Sequence, residues 1–167
     1  MDMSKLAPAD AVVALRSLER RYRALFTGLG DDESPDEVAH RKASNGWTGV
    51  EHVVAAAWAI AACDRALQRV LREDTPHLDP SDVDPALRDR PGSPTGPVHE
   101  RLAELGLEAN ALADRVDGVA AKDWERLGLL DDSSARRVSA LDIVRSAVDA
   151  GVTHLRAAEL TLNEVRA

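Results

Sequence analysis

Apolar residues recur every three to four positions in four stretches of the chain, and each stretch predicts an amphipathic helix. The first spans about 8–27, where Leu15, Leu18, Tyr22, Leu25 and Phe26 oppose Arg16, Glu19, Arg20 and Arg23. Gly28, Gly30 and the acidic run Asp31, Asp32 and Glu33 are expected to end it. The second spans about 48–73. Thr48 followed by Glu51 has the spacing of a capping box, in which each side chain satisfies a free backbone N–H of the first turn. Its apolar stripe is Val50, Val53, Val54, Ala57, Trp58, Ala61, Leu67, Val70 and Leu71. The third, about 98–120, carries Val98, Leu102, Leu105, Ala109, Leu112 and Val116 in a seven-residue rhythm suited to bundle packing. The fourth, about 139–165, opens on Ser139 with Asp142 as a second cap and continues through Leu141, Val144, Val148, Val152, Leu155 and Leu162.

Between the second and third helices the pattern stops. Residues 74–97 hold Pro76, Pro80, Pro85, Pro91, Pro94 and Pro97, and so many missing N–H donors exclude a long helix or an inner strand. This is a long crossover, and segments of that length in a small domain are usually functional or partly disordered. A second connection, 121–138, contains Lys122-Asp123-Trp124-Glu125-Arg126. Neither connection reads as a strand. The expected architecture is therefore all-α: one four-helix-bundle domain over 1–167, with essentially no strand. Trp47, Trp58, Val54, Leu105, Leu112, Val144, Val148 and Leu155 are the expected core.

Composition agrees with helices. Aromatic residues make up 3% of the 167, and the apolar (44%) and charged (30%) fractions are those of a globular chain long enough to bury a core. A net charge of −8 and a pI near 5.1 argue against a nucleic-acid partner, which needs clustered Lys and Arg. The lone Cys63 can form no internal disulfide and points to a reducing compartment. The first residues show no apolar leader, and the longest nearly uncharged run, 53–63, is too short to span a bilayer. A cytoplasmic location and no membrane partner are expected.

Two stretches resemble the DinB/YfiT-like superfamily. One is Gly46-Trp47-Thr48-Gly49-Val50-Glu51. The other runs from Asp123-Trp124-Glu125-Arg126-Leu127-Gly128 through Val138-Ser139-Ala140-Leu141-Asp142-Ile143-Val144 to Val152-Thr153-His154-Leu155. Arg72-Glu73-Asp74-Thr75-Pro76 is similar to the exit of the family's second helix, and the likeness runs in order along nearly the whole chain. It extends to the actinobacterial members and to the N-terminal domain of mycothiol-dependent maleylpyruvate isomerases. The resemblance implies an up-down-down-up bundle with zinc or nickel held between helices, and thiol-dependent isomerase or transferase chemistry with mycothiol. It implies three ligands: one His about two turns into the second helix, and a His-x-x-x-His pair on the fourth.

This chain departs from that pattern. The second-helix ligand position falls on Ala55, and the fourth-helix pair falls on Asp149 and Thr153 in one register or on Ala150 and His154 in the other. Alanine has no donor atom and a threonine hydroxyl is a poor zinc ligand, so no metal is expected in the family site. A residual site from His52, Asp149 and His154 remains open, with His52 one turn before Ala55. Each residue also has a simpler role: a half-buried hydrogen-bonded His52, a solvated Asp149, and a His154 favoured by the helix C-terminal half. Cys63, mid-helix beside Asp64, reads as a small core residue, and His77 and His99 as exposed. The pocket candidates are thus His52, Ala55, Trp58, Asp149, Thr153 and His154, with Ala55, Asp149 and Thr153 expected to face a common cavity. Three functions follow: a thiol-dependent transferase or hydrolase-like enzyme; a metal-free binder of a small molecule in the vacated cavity; or a bundle whose face serves a homodimer.

Overall fold

The computed structural model describes residues 2–27 and 34–166. The residues expected to end the first helix, 28–33, lie outside it. Four long helices form the bundle: α1 (Pro8–Thr27), α3 (Gly49–Arg72), α4 (Val98–Asp117) and α5 (Ala140–Arg166), with a short α2 (Pro35–Ala39) after the first. The four bounds match the periodicity to within a few residues. All six stripe residues of α4 are buried, as are Val54, Val144, Val148 and Leu155.

The helix directions follow from who meets whom. Arg16 of α1 pairs with Asp114 of α4 at 3.0 Å, and Glu19 lies against Gly106, so these two run antiparallel. The start of α3 meets the end of α5, with Leu162 against Gly49, and these too are antiparallel. Tyr22 Oη donates to the Gly151 carbonyl (2.8 Å) while Arg145 Nε donates to the Leu6 carbonyl (3.1 Å), so α1 and α5 run together. The topology is up-down-down-up. α1 and α3 sit on opposite corners, each touching both α4 and α5.

Caps fix the helix starts. Thr48 Oγ1 accepts from the Glu51 N–H (3.1 Å) and Glu51 Oε2 accepts from the Thr48 N–H (2.7 Å), which completes the capping box. Ser139 and Asp142 make the same reciprocal pair at the head of α5. α4 begins after Pro97, which offers no capping side chain, and Asp36 of α2 accepts from the Val98 N–H instead (2.6 Å).

The expectation of essentially no strand needs correction. Strands β1 (His77–Leu78), β2 (Leu127–Leu130) and β3 (Arg137–Ser139) form a small sheet, β1 parallel and β3 antiparallel to β2. It ties the two inter-helix connections together at one end of the bundle. Strands this short show too few alternations for a period of two to register in the sequence. Gly128 is required there. A Cβ would lie 2.5 Å from Leu78 Cδ1 and 3.1 Å from Val70 Cγ2, so only a bare α-carbon lets β2 approach α3. Arg126 adjoins it, donating from Nε to the Val70 carbonyl (2.8 Å) and from Nη2 to the Glu73 carbonyl (2.7 Å), two orphan acceptors at the end of α3. The Asp-Trp-x-Arg-x-Gly turn thus serves to seat the sheet on the helix.

Candidate functional site

The first turns of α3 are buried on every side, from Gly49 to Ala57. An amphipathic helix should leave one face open, but the proline-rich crossover lies over this one. Small residues on that outer face, Ala55, Ala59 and Ala62, make the approach possible. Arg90 pins the crossover. Its guanidinium pairs with Glu51 (Nη2–Oε2 2.8 Å, Nε–Oε1 3.2 Å), donates to the Gly46 carbonyl, and sits 4.5 Å from the Trp47 ring centroid. Burial alone would raise the Glu51 carboxyl. The Arg90 bonds and the Thr48 backbone N–H override it and hold the group below its ordinary range. The bend that delivers this cluster uses Gly46 at φ +80°.

Behind Arg90 lies a histidine pair. His52, 5% exposed, stacks on Trp47 with centroids 4.6 Å apart and planes within 9°. Its Nδ1 is 3.3 Å from His154 Nδ1 and its Nε2 is 3.3 Å from Thr161 Oγ1. Burial first, then the neighbouring His154, lowers the His52 pKa to about 4, with Glu51 opposing and Arg90 reinforcing. Burial lowers His154 as well. Both rings are neutral near pH 7, and a neutral ring donates at one nitrogen and accepts at the other.

His154 of this pair borders a cavity of about 230 Å³. Ala55, Trp58 and Ala59 of α3 form its floor, His154 and Trp47 one side, and the crossover from Pro85 to Pro91 its roof. Polar groups are few: Arg88, Asp89, Arg90 and the His154 ring. Arg88 already pairs with Asp82 (3.3 Å), as Arg90 does with Glu51. The mouth is thus mostly apolar, with both of its cations paired and the Asp89 carboxylate exposed at its rim.

The structure brings His52, Ala55, Trp58 and His154 together but not Asp149 or Thr153, whose expected place in a common cavity needs correction. At about 100° per residue, Asp149 and Thr153 fall on the face of α5 opposite its buried arc through Val144, Ala147, Gly151 and Leu155, and both are exposed. Asp149 lines a separate surface hollow with Asp142 and Arg136. Ala150, His154 and Thr161 lie on the edge of the buried arc facing α3, so the second register is the one that matches this geometry. Trp58 is a further correction. Expected in the core, it is 51% exposed, because it sits about 160° around the helix from buried Ile60, on the outer face. Trp47 is only half-buried. Cys63 is buried, as expected, and burial raises its thiol to about 12.

Sequence reasoning missed Arg88, Arg90 and Thr161. The crossover has no periodicity from which to place a side chain. Thr161 did carry a signal: it is seven residues after His154, two turns along the same face.

The same topology occurs in a solved structure. YfiT from Bacillus subtilis, described as a probable metal-dependent hydrolase with an unusual four-helix bundle topology, superposes with a TM-score of 0.73 at 16% identity, over 93% of this chain and 85% of that one. The chain has a DinB/YfiT-like fold. No family model matches the sequence, and no curated protein matches it.

The sequence resemblance implies a metal between the helices, and the donors here can be set against its needs. A catalytic zinc needs three protein ligands at about 2.0–2.3 Å. Among the described residues no three His, Cys, Asp or Glu side chains converge. The two imidazoles are in contact with each other, Glu51 is committed to its cap and to Arg90, and the remaining neighbour is the Thr161 hydroxyl. The residues do not fit a three-ligand site. Among the described residues, no helix is long and apolar enough to cross a membrane.

Proposed function

We propose that this chain binds a small amphipathic molecule, uncharged or zwitterionic, in the cavity between α3, α5 and the crossover, and does so without a metal. The observation that carries this reading is the pairing of Ala55 with His154 in one cavity. Where the family resemblance places a ligand, a methyl group leaves space and apolar surface. A cavity lined by Trp47, Trp58, Ala55 and Ala59 favours an apolar body. The His154 ring and the paired guanidiniums supply a few oriented hydrogen bonds. Because each arginine is already neutralised by a carboxylate, and Asp89 stands at the rim, the site gives little advantage to an anion.

A second reading, a thiol-dependent transferase of the mycothiol type, is favoured by one feature. Arg88 and Arg90 are cations at the cavity wall, and a neighbouring cation lowers a thiol pKa as a metal does. The histidine pair counts against it. A ring whose own pKa is about 4 is a weak base for a thiol.

Benzamide, an uncharged amphipathic probe, tests the binding reading by NMR titration. The expected result is saturable shifts at the Ala55 methyl, the Trp47 indole N–H and the His154 ring, abolished by the cavity-filling Ala55→Trp. Unmoved signals in the wild-type protein would overturn it. So would retention of one equivalent of zinc by the unaltered chain after loading and dialysis.

A further inference from the structure

A second cavity, of about 240 Å³, lies on the other side of Trp58. Trp58 and Pro91 line both spaces and form the boundary between them. The far space is otherwise bounded by Val54, by the crossover at Ser93 and Thr95, and by Arg101 and Glu104 of α4. Each cavity alone falls below the roughly 300–1,000 Å³ usual for a ligand pocket. Joined past Trp58, they fall inside that range.

We propose that the site is bipartite and takes an elongated molecule, its near end beside His154, its apolar middle across Trp58, and an oxygen acceptor at its far end beside Arg101. This rests on the reading that the near cavity binds a small amphipathic molecule, and it adds the shape and far-end chemistry of that molecule. The first support is Trp58 itself. A tryptophan held half in solvent just after helix turns that are covered on every side leaves a large apolar surface unburied between two hollows. An alkyl or aryl segment laid on it removes that surface from water.

The second support is polar. Arg101 Nη1 pairs with Glu104 (2.6 and 2.8 Å) and Nη2 donates to the Thr95 carbonyl (3.1 Å), while its Nε is a buried donor with no partner among the described residues. Leaving such a donor unmet is costly, and the guanidinium that carries it lines the far space. The Ser93 and Thr95 side chains border the same space. Charge does not enter the selection, because Arg101 is balanced by Glu104 as Arg90 is by Glu51. The ligand class is therefore an elongated neutral amphiphile with hydroxyl or amide groups at its ends.

The experiment compares benzamide with N-(6-hydroxyhexyl)benzamide by NMR titration of the full chain. The longer compound is expected to bind at least tenfold more tightly and to shift the Ser93 and Thr95 amides, which line only the far space and which benzamide leaves in place. Ser93→Trp, a change at an exposed crossover position, fills the far space. It is expected to remove the gain from the tail while leaving benzamide binding as it was. Binding by benzamide with no gain from the tail overturns the bipartite site alone, as does a gain that survives Ser93→Trp. Failure of both compounds to bind overturns the near-cavity reading and this extension together.

Discussion

A single methyl group at position 55 decides much of what this site can do. Histidine there would aim an imidazole at His154 across the cavity, and a second at Ala150 would stand one helical turn before His154 on the same face of α5. The geometry therefore predicts that Ala55→His with Ala150→His creates a zinc site with His154, read as one equivalent retained after dialysis and as tetrahedral absorption of the cobalt derivative. The companion set, Ala55→His with Asp149→His and Thr153→His, should retain none, because two of its three imidazoles would point into solvent. Equal affinity in the two sets would sink the register assigned to α5. His52 keeps its own role in both. It is held by Trp47, His154 and Thr161, behind the Trp47 and His154 rings that line the cavity.

At the scale of elements, the start of α3 carries more than its own helix. Thr48 and Glu51 close the capping box, and Glu51 also receives Arg90, so one buried carboxylate joins the helix cap to the crossover. Thr48→Ala should cost about 0.5–2 kcal/mol as a lost cap. It should also loosen the Arg90 anchor, seen as faster amide exchange across 85–91 than at the sheet, and unchanged exchange there would show that the crossover is held independently. This linkage explains what is legible in the sequence and what is not. The caps and the 3.6-residue stripes are local signals, and they locate four helices and the buried residues of α4. The outer face of α3 is misleading at Trp58 because a covering segment with no period of its own buries some residues there and leaves others open. Asp149 and Thr153 are hard to place for a related reason. A one-residue shift rotates a helical position by about 100°, and two ligand registers one residue apart cannot be separated until the neighbouring helix is in view. The same absence of period hides Arg90, Arg88 and the far cavity.

At the scale of the whole molecule, the site couples to stability through its protons. The ordinary histidine pKa is about 6.5, whereas His52 is lowered to about 4 by burial and by His154, and His154 is lowered by burial. As pH falls below about 6.5, the unfolded chain takes up a proton at position 52 while the folded chain does not until near pH 4. Within that window the unfolded state binds more protons, so stability rises with pH and is lost on acidification. Each tenfold change in proton affinity is worth about 1.4 kcal/mol, so His52 accounts for roughly 1–3 kcal/mol of the loss. The Glu51 carboxyl, held below its ordinary value, has the same sign but acts at lower pH, below the ordinary carboxylate range. A comparison between pH 7 and pH 5 therefore isolates the histidines. Urea midpoints of the wild-type protein should fall over that interval. His52→Gln, which cannot take up a proton, should be less stable at pH 7 yet show a flatter profile, the two curves converging as the pH drops. Parallel curves would mean that the buried pair does not govern the acid response, and that His52 is reached by water in a way its stacking on Trp47 and its contact with Thr161 do not permit.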